Sequence, residues 1–179
     1  MTSTDESPAG AEALRADARS RMDARLGHWA ATLRQELPGA AGEETAYALM
    51  STGKRVRAAL VLAAYRSVGG HHAGIDGVAA AVETVHAYSL VHDDLPCMDD
   101  DDLRRGRPTT HKAFDVATAT RAGFVLVPLA ARILAAAAEE LRLDAPVLGR
   151  MARELFTAGG VEGMVGGQWA DLEAEERDL

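Results

Sequence analysis

Apolar positions along the 179-residue chain recur mostly at helical spacing, and few segments alternate with the period of two that a half-buried strand requires. Between Ala11 and Leu37, intermittent Leu, Met and Trp are interleaved with Arg, Asp and Glu, which predicts an exposed amphipathic helix stopped by Pro38 and Gly39. Shorter helices are expected at about 43–50 and about 56–68, the second ended by the Gly69-Gly70 pair. A long helix follows from Ile75 to His92, in which Val78, Val82, Val85 and Ser89 fall at i, i+4, i+7 and i+11 and form a narrow packing stripe. Further helices are expected at about 109–120, 122–141, 145–158 and 160–175. Residues 1–10, MTSTDESPAG, read as a solvated, disordered lead-in, and 11–179 as one helical domain without repeats or linkers. The pattern predicts an all-α, multi-helix bundle.

Composition agrees. Nearly half of the chain is apolar, Ala, Leu and Val dominate, and only eight residues are aromatic, a balance that favours packed helices over sheet. The formal charge of −8 argues against a nucleic-acid surface, yet two compact basic clusters, Gly53-Lys54-Arg55-Val56-Arg57 and Arg104-Arg105-Gly106-Arg107, suit small phosphates. Cys97 is the single cysteine, so no internal disulfide forms, and no signal peptide is recognisable; a cytoplasmic setting is expected. The longest apolar run, Ala122 to Ala138, falls short of a bilayer span and contains Pro128 and Arg132, so a buried helix is expected in place of a transmembrane segment. His71 and His72 lack a third ligand at helical spacing and read as a turn.

HDDLPCMDDDDLRRGRPTTHK, residues 92–112, is the anomaly: six aspartates in ten positions, then three arginines in four. The carboxylates collect where the last carbonyls of the entering helix already present negative charge. Asp93 and Asp99 would diverge by about 240° on an unbroken helix, but Pro96 breaks it and lets them converge. Converging carboxylates without Cys or His ligands favour Mg²⁺, which takes one or two of them and leaves its other positions to water and phosphate. The competing reading is a solvated acidic loop neutralised by its own arginines. Arg104 and Arg105 have forks that match phosphate oxygens, and His86 lies seven residues before Asp93, on nearly the same face. Lys54 and Arg57 stand one turn apart beside Gly53 at an expected helix start, where free amides and the dipole favour an anion; the pattern is not a Walker loop.

In their order these motifs resemble the trans-isoprenyl diphosphate synthases, the polyprenyl synthetase family that includes farnesyl and geranylgeranyl diphosphate synthases. GKRVR (53–57) is similar to GKRxRP, with Ala58 in place of proline; HAYSLVHDDLPCMDDDDLRRGRPTTHKAF (86–114) to the first aspartate-rich region; GMVGGQWADL (163–172) to a GGQxxDL element. The resemblance implies an isoprenoid-synthase bundle in which Asp93, Asp94 and Asp99 bind Mg²⁺ bridging an allylic diphosphate that Arg104 helps to hold. It further implies that Gly53, Lys54, Arg57, His86 and Arg105 hold isopentenyl diphosphate, that Gln168 and Asp171 line the same cavity, and that Tyr88 and Ser89 limit product length. A farnesyl- or geranylgeranyl-sized product is expected, as is a homodimer or association with a complete synthase subunit.

The sequence departs from the family's pattern in two places. A second aspartate-rich element, FQxxDDxxD, and a preceding lysine-threonine element do not occur in the 179 residues, so the chain resembles the N-terminal part of a family member and lacks its C-terminal helices. Between Asp115 and Pro128, DVATATRAGFVLVP replaces GEATAxLAGDALL, with Val116 for Glu, Arg121 for an apolar residue and Phe124 for Asp. A prenyltransferase and a non-catalytic helical partner of a complete synthase therefore both stand as readings. A class I terpene cyclase does not need the second diphosphate pocket that GKRVR and Arg105 supply.

Overall fold

A computed structural model describes residues 8–177. Helix α1 (Pro8–Glu36) starts three residues ahead of the expected position, and residues 1–7 of the lead-in lie outside the described residues. Ala18, Met22, Leu26, Trp29, Ala30 and Leu33 form its buried stripe, which packs on α2 (Ala41–Leu49), α3 (Val56–Ser67) and α4 (Ile75–Asp93).

The central pair is α4 with α6 (Val116–Glu140). On α4 the face turned to the core carries Ala79, Ala80, Thr84, Ala87 and Val91; of the expected stripe, Val85 and Ser89 are buried whereas Val78 and Val82 are only half-buried. Small side chains win this face because they let two helix backbones approach. A Cβ on Gly77 would lie 2.6 Å from the Cβ of Ala137, and one on Gly123 only 2.0 Å from Nε2 of His92. Helix α6 is long and apolar enough to cross a membrane, but half of that apolar stretch is buried inside the bundle as a core helix.

Two helices expected at about 109–120 and 122–141 are instead a short α5 (Thr110–Ala113) and one continuous α6. The break falls at Asp115, whose carboxylate caps α6 by accepting from the Thr118 amide at 2.7 Å. Pro128 sits within α6 without ending it. Arg121, substituting for an apolar residue, faces outward and donates to the Thr118 hydroxyl at 2.9 Å. Helix α7 (Ala145–Gly159) is capped by Asp144, and α8 (Met164–Arg177) starts four residues later than expected, after a turn through Gly160 and Gly163.

One element was not anticipated. Leu103–Arg104 (β1) and Arg107–Pro108 (β2) pair antiparallel, with Arg104 opposite Arg107. Arg105 and Gly106 form the two-residue turn, both at positive φ (56° and 79°), as a type I′ hairpin requires.

Candidate active site

The helix break does what Pro96 predicts. Helix α4 ends at Asp93, the chain turns through residues 95–98, and the Asp99 amide donates to the Asp93 carbonyl at 2.9 Å. Pro96 and Cys97 lie exposed in that turn. As a result Asp93 and Asp99 line one cavity of about 100 Å³ together with Met98, Gln168, Asp171 and Leu172. Gln168, on α8, donates its amide to Oδ1 of Asp93.

The other aspartates are used differently. Asp94 is one residue further round the helix, about 100° from Asp93, so its carboxylate turns inward, is almost fully buried, and accepts from Arg104 Nε at 2.5 Å. Arg104 also holds Asp101 at 3.0 Å. Asp100 and Asp102 lie 3.7 and 2.8 Å from the Lys112 ammonium, and His111 approaches Asp100 at 3.7 Å. Four of the six acids thus belong to the neutralised acidic loop. Asp93 and Asp99 make no ion pair among the described residues.

Burial, then the neighbouring Asp99 and Asp94 charges, push the Asp93 carboxyl above its ordinary range against the opposing pull of Arg104. A cation would relieve that repulsion. Among the described residues no three His, Cys, Asp or Glu side chains are gathered so as to hold a metal ion by themselves; the cavity offers the pair Asp93 and Asp99, with Asp171 also in its lining. An oxygen-only, open donor set of this kind fits Mg²⁺. Asp94, expected alongside them, instead lines a separate small cavity behind the β-hairpin with Arg104.

A second cavity, of about 320 Å³, is walled by Lys54, Arg55, Val56, Arg57, Glu83, His86 and Arg105. Arg55, buried and left-handed at φ 49°, is consumed internally by Asp23 at 3.2 Å and Glu83 at 3.3 Å. Glu83 also accepts from the Ala58 amide at 3.1 Å. This narrows one expectation: of the amides in the first turn of α3, that of Ala58 is already taken by a carboxylate. The free positive charge comes from Lys54, Arg57 and Arg105, which make no ion pair among the described residues. Gly53 has a specific use, since its missing side chain leaves room for the Arg105 guanidinium, which donates to the Thr52 carbonyl; a Cβ would sit 2.0 Å from Nη1.

Half-buried His86 has a buried Nδ1 with no hydrogen-bond partner. Burial first, then the charges of Arg57 and Arg105, pull its pKa down to about 4, so the ring is neutral at pH 7. An entering anion would reverse that bias. Although His86 and Asp93 share a helix face, they line different cavities. Tyr88 stacks edge-on against His92, with ring centroids 5.0 Å apart, and His92 in turn against Phe124 at 5.7 Å. Ser89 is buried and donates to the His86 carbonyl at 2.9 Å. Sequence reasoning missed Glu83 and His92 as organisers of the site; an acid within an otherwise apolar helix, three residues before His86, was the available signal for the first.

The Polyprenyl synthetase family model matches residues 41–179. The chain belongs to that family. It is 44% identical over 148 residues to a farnesyl diphosphate synthase of Bacillus subtilis, covering 83% of this chain and 50% of that protein. With a farnesyl diphosphate synthase of Escherichia coli the identity is 48%, over 76% of this chain and 46% of the relative. A solved FPP/GFPP synthase from Zymomonas mobilis superposes with a TM-score of 0.82 at 37% identity, over 93% of this chain and 59% of that one. A geranyltransferase from Legionella pneumophila gives 0.81 at 38%, over 90% and 55%. The isoprenoid-synthase fold is therefore shared, and the chain spans about half the length of the curated relatives it matches.

Proposed function

We propose that this polyprenyl synthetase chain supplies the substrate-binding half of a trans-prenyltransferase that joins isopentenyl diphosphate to an allylic diphosphate, giving a farnesyl- or geranylgeranyl-sized product. The observation that carries this reading is the pairing of two cavities with opposite character: the uncompensated carboxylates of Asp93 and Asp99 facing Gln168 and Asp171, and the cationic wall of Lys54, Arg57 and Arg105 around a neutral His86. Asp93 and Asp99 would hold Mg²⁺, whose chemistry when bound is to stabilise negative charge on a departing diphosphate. Lys54, Arg57, His86 and Arg105 bind the second diphosphate, His86 offering the nitrogen that has no partner in the free protein. Gln168 orients Asp93, and Arg104 keeps Asp94 and Asp101 from swelling the local negative charge. The allylic C–O bond breaks to release diphosphate, the isopentenyl double bond attacks the resulting allylic cation, and the adduct loses a proton to the released diphosphate. The same proposal has Tyr88, backed by His92, limit tail length, and includes a cytoplasmic setting.

A second reading has its own support. Helix α7 contains no buried residue, and Val161, Trp169 and Phe124 are large, apolar and at least 66% exposed. Faces of this kind suit association with a second copy or with a complete synthase subunit, in which this chain would modulate without turning over. Incubating the pure chain with labelled isopentenyl diphosphate and an allylic primer separates the two: Mg²⁺-dependent elongation supports catalysis, and diphosphate binding without elongation supports the partner role. Absence of both binding and elongation removes the diphosphate reading.

A further inference from the structure

The hairpin that carries Arg104 and Arg105 is too small to hold itself. Each strand is two residues long, an isolated hairpin of that size is marginal in water, and its turn places a non-glycine residue, Arg105, at the unfavourable positive φ. Something outside it must fix its position. Tyr47, on α2, meets the hairpin in two ways and the segment that follows it in a third. Its hydroxyl donates to the Pro108 carbonyl at 2.7 Å. The Arg107 guanidinium lies 4.4 Å above its ring while donating to the Met50 carbonyl at 3.3 Å. The ring edge also meets Phe114, centroids 5.3 Å apart at 90°, which ties the hairpin's exit to the same side chain. Tyr47 thus grips the second strand while Arg104 and Arg105, on the first strand and turn, face Asp94 and the basic cavity.

We propose that Tyr47 is a positioning residue: it docks the 103–108 hairpin on α2 and so sets the Arg105 guanidinium against the basic cavity and Arg104 against Asp94. The consequence for affinity rests on the reading of that cavity as a diphosphate site; the docking itself does not.

The full chain and its Tyr47→Leu and Tyr47→Phe variants test this. Trypsin nicking after Arg104 and Arg105 under native conditions reads hairpin release, since cleavage follows the population of the opened segment. Titration with isopentenyl diphosphate reads the cavity. In Tyr47→Leu, nicking is expected to accelerate about tenfold and affinity to weaken about tenfold, with Mg²⁺ binding at Asp93 and Asp99 unchanged. Tyr47→Phe keeps the ring contacts and is expected to stay within about threefold of wild type in affinity. Unchanged nicking in folded Tyr47→Leu overturns the proposal, as does faster nicking that only tracks a general loss of thermal stability. If Tyr47→Leu does not fold, Tyr47→Phe decides: nicking must rise measurably through loss of the Pro108 contact. A wild-type chain that binds no isopentenyl diphosphate defeats the diphosphate reading, while nicking still judges the docking role.

Discussion

Asp93 carries an unfavourable charge in the free protein. Because its folded-state carboxyl titrates above the ordinary value, its contribution to stability is full at acid pH, below the unfolded pKa, and is lost as pH rises through the raised folded value. At pH 7 Asp93→Asn is therefore expected to raise Tm by about 2 °C, with the gain vanishing near pH 4 in a thermal series. Mg²⁺ should stabilise the wild type and leave the variant unmoved. His86 behaves in the opposite sense. Its pKa is depressed from the usual 6.5 to about 4, so the neutral ring stabilises the fold above pH 6.5 and that support is lost between there and pH 4. His86→Gln is expected to flatten this acid limb in pH-dependent denaturation, and to weaken isopentenyl diphosphate binding about tenfold. The identities of these residues were legible because the acids and cations are crowded in sequence. The inward turn of Asp94 was not, since it depends on where the last turn of α4 stops.

At the scale of elements, α4 was legible from its apolar periodicity and α6 only from about residue 122 onward, but the expected valine stripe is not the buried centre. Alanine and glycine are. Gly123 shows why this matters: His92, next to Asp93, is held between Tyr88 and Phe124 and fills the space a Cβ would need. Gly123→Ala is expected to cost about 1–3 kcal/mol in chemical denaturation through overpacking, and to reduce Mg²⁺ affinity because the displaced ring moves the end of α4. The hairpin escaped notice for a physical reason. A two-residue strand has no periodicity to detect, and its turn uses Arg-Gly where Asn-Gly or Asp-Gly would have signalled a type I′ turn.

Over the whole molecule, stability is unevenly distributed. Buried residues concentrate on α1, α4 and α6, whereas α7 has none and leans on the core through half-buried Leu148, Met151 and Leu155. Hydrogen exchange followed by mass spectrometry is expected to show α7 and α8 at least about tenfold less protected than α4 and α6. Mg²⁺ with a diphosphate should slow exchange in α8, because Gln168 and Asp171 face Asp93 across the cavity. Family membership was readable from three ordered motifs. The absence of buried residues on α7 was not, because its apolar pattern is that of an ordinary packed helix.

Cys97 lies exposed in the turn between Asp93 and Asp99, and it is the sole thiol of the sequence. The protein therefore comes with a built-in attachment point for a fluorophore at the rim of the carboxylate cavity, with no cysteine to remove first. Emission that responds to magnesium in the wild type and falls silent in Asp93→Asn would turn that turn into an optical gauge of ion arrival.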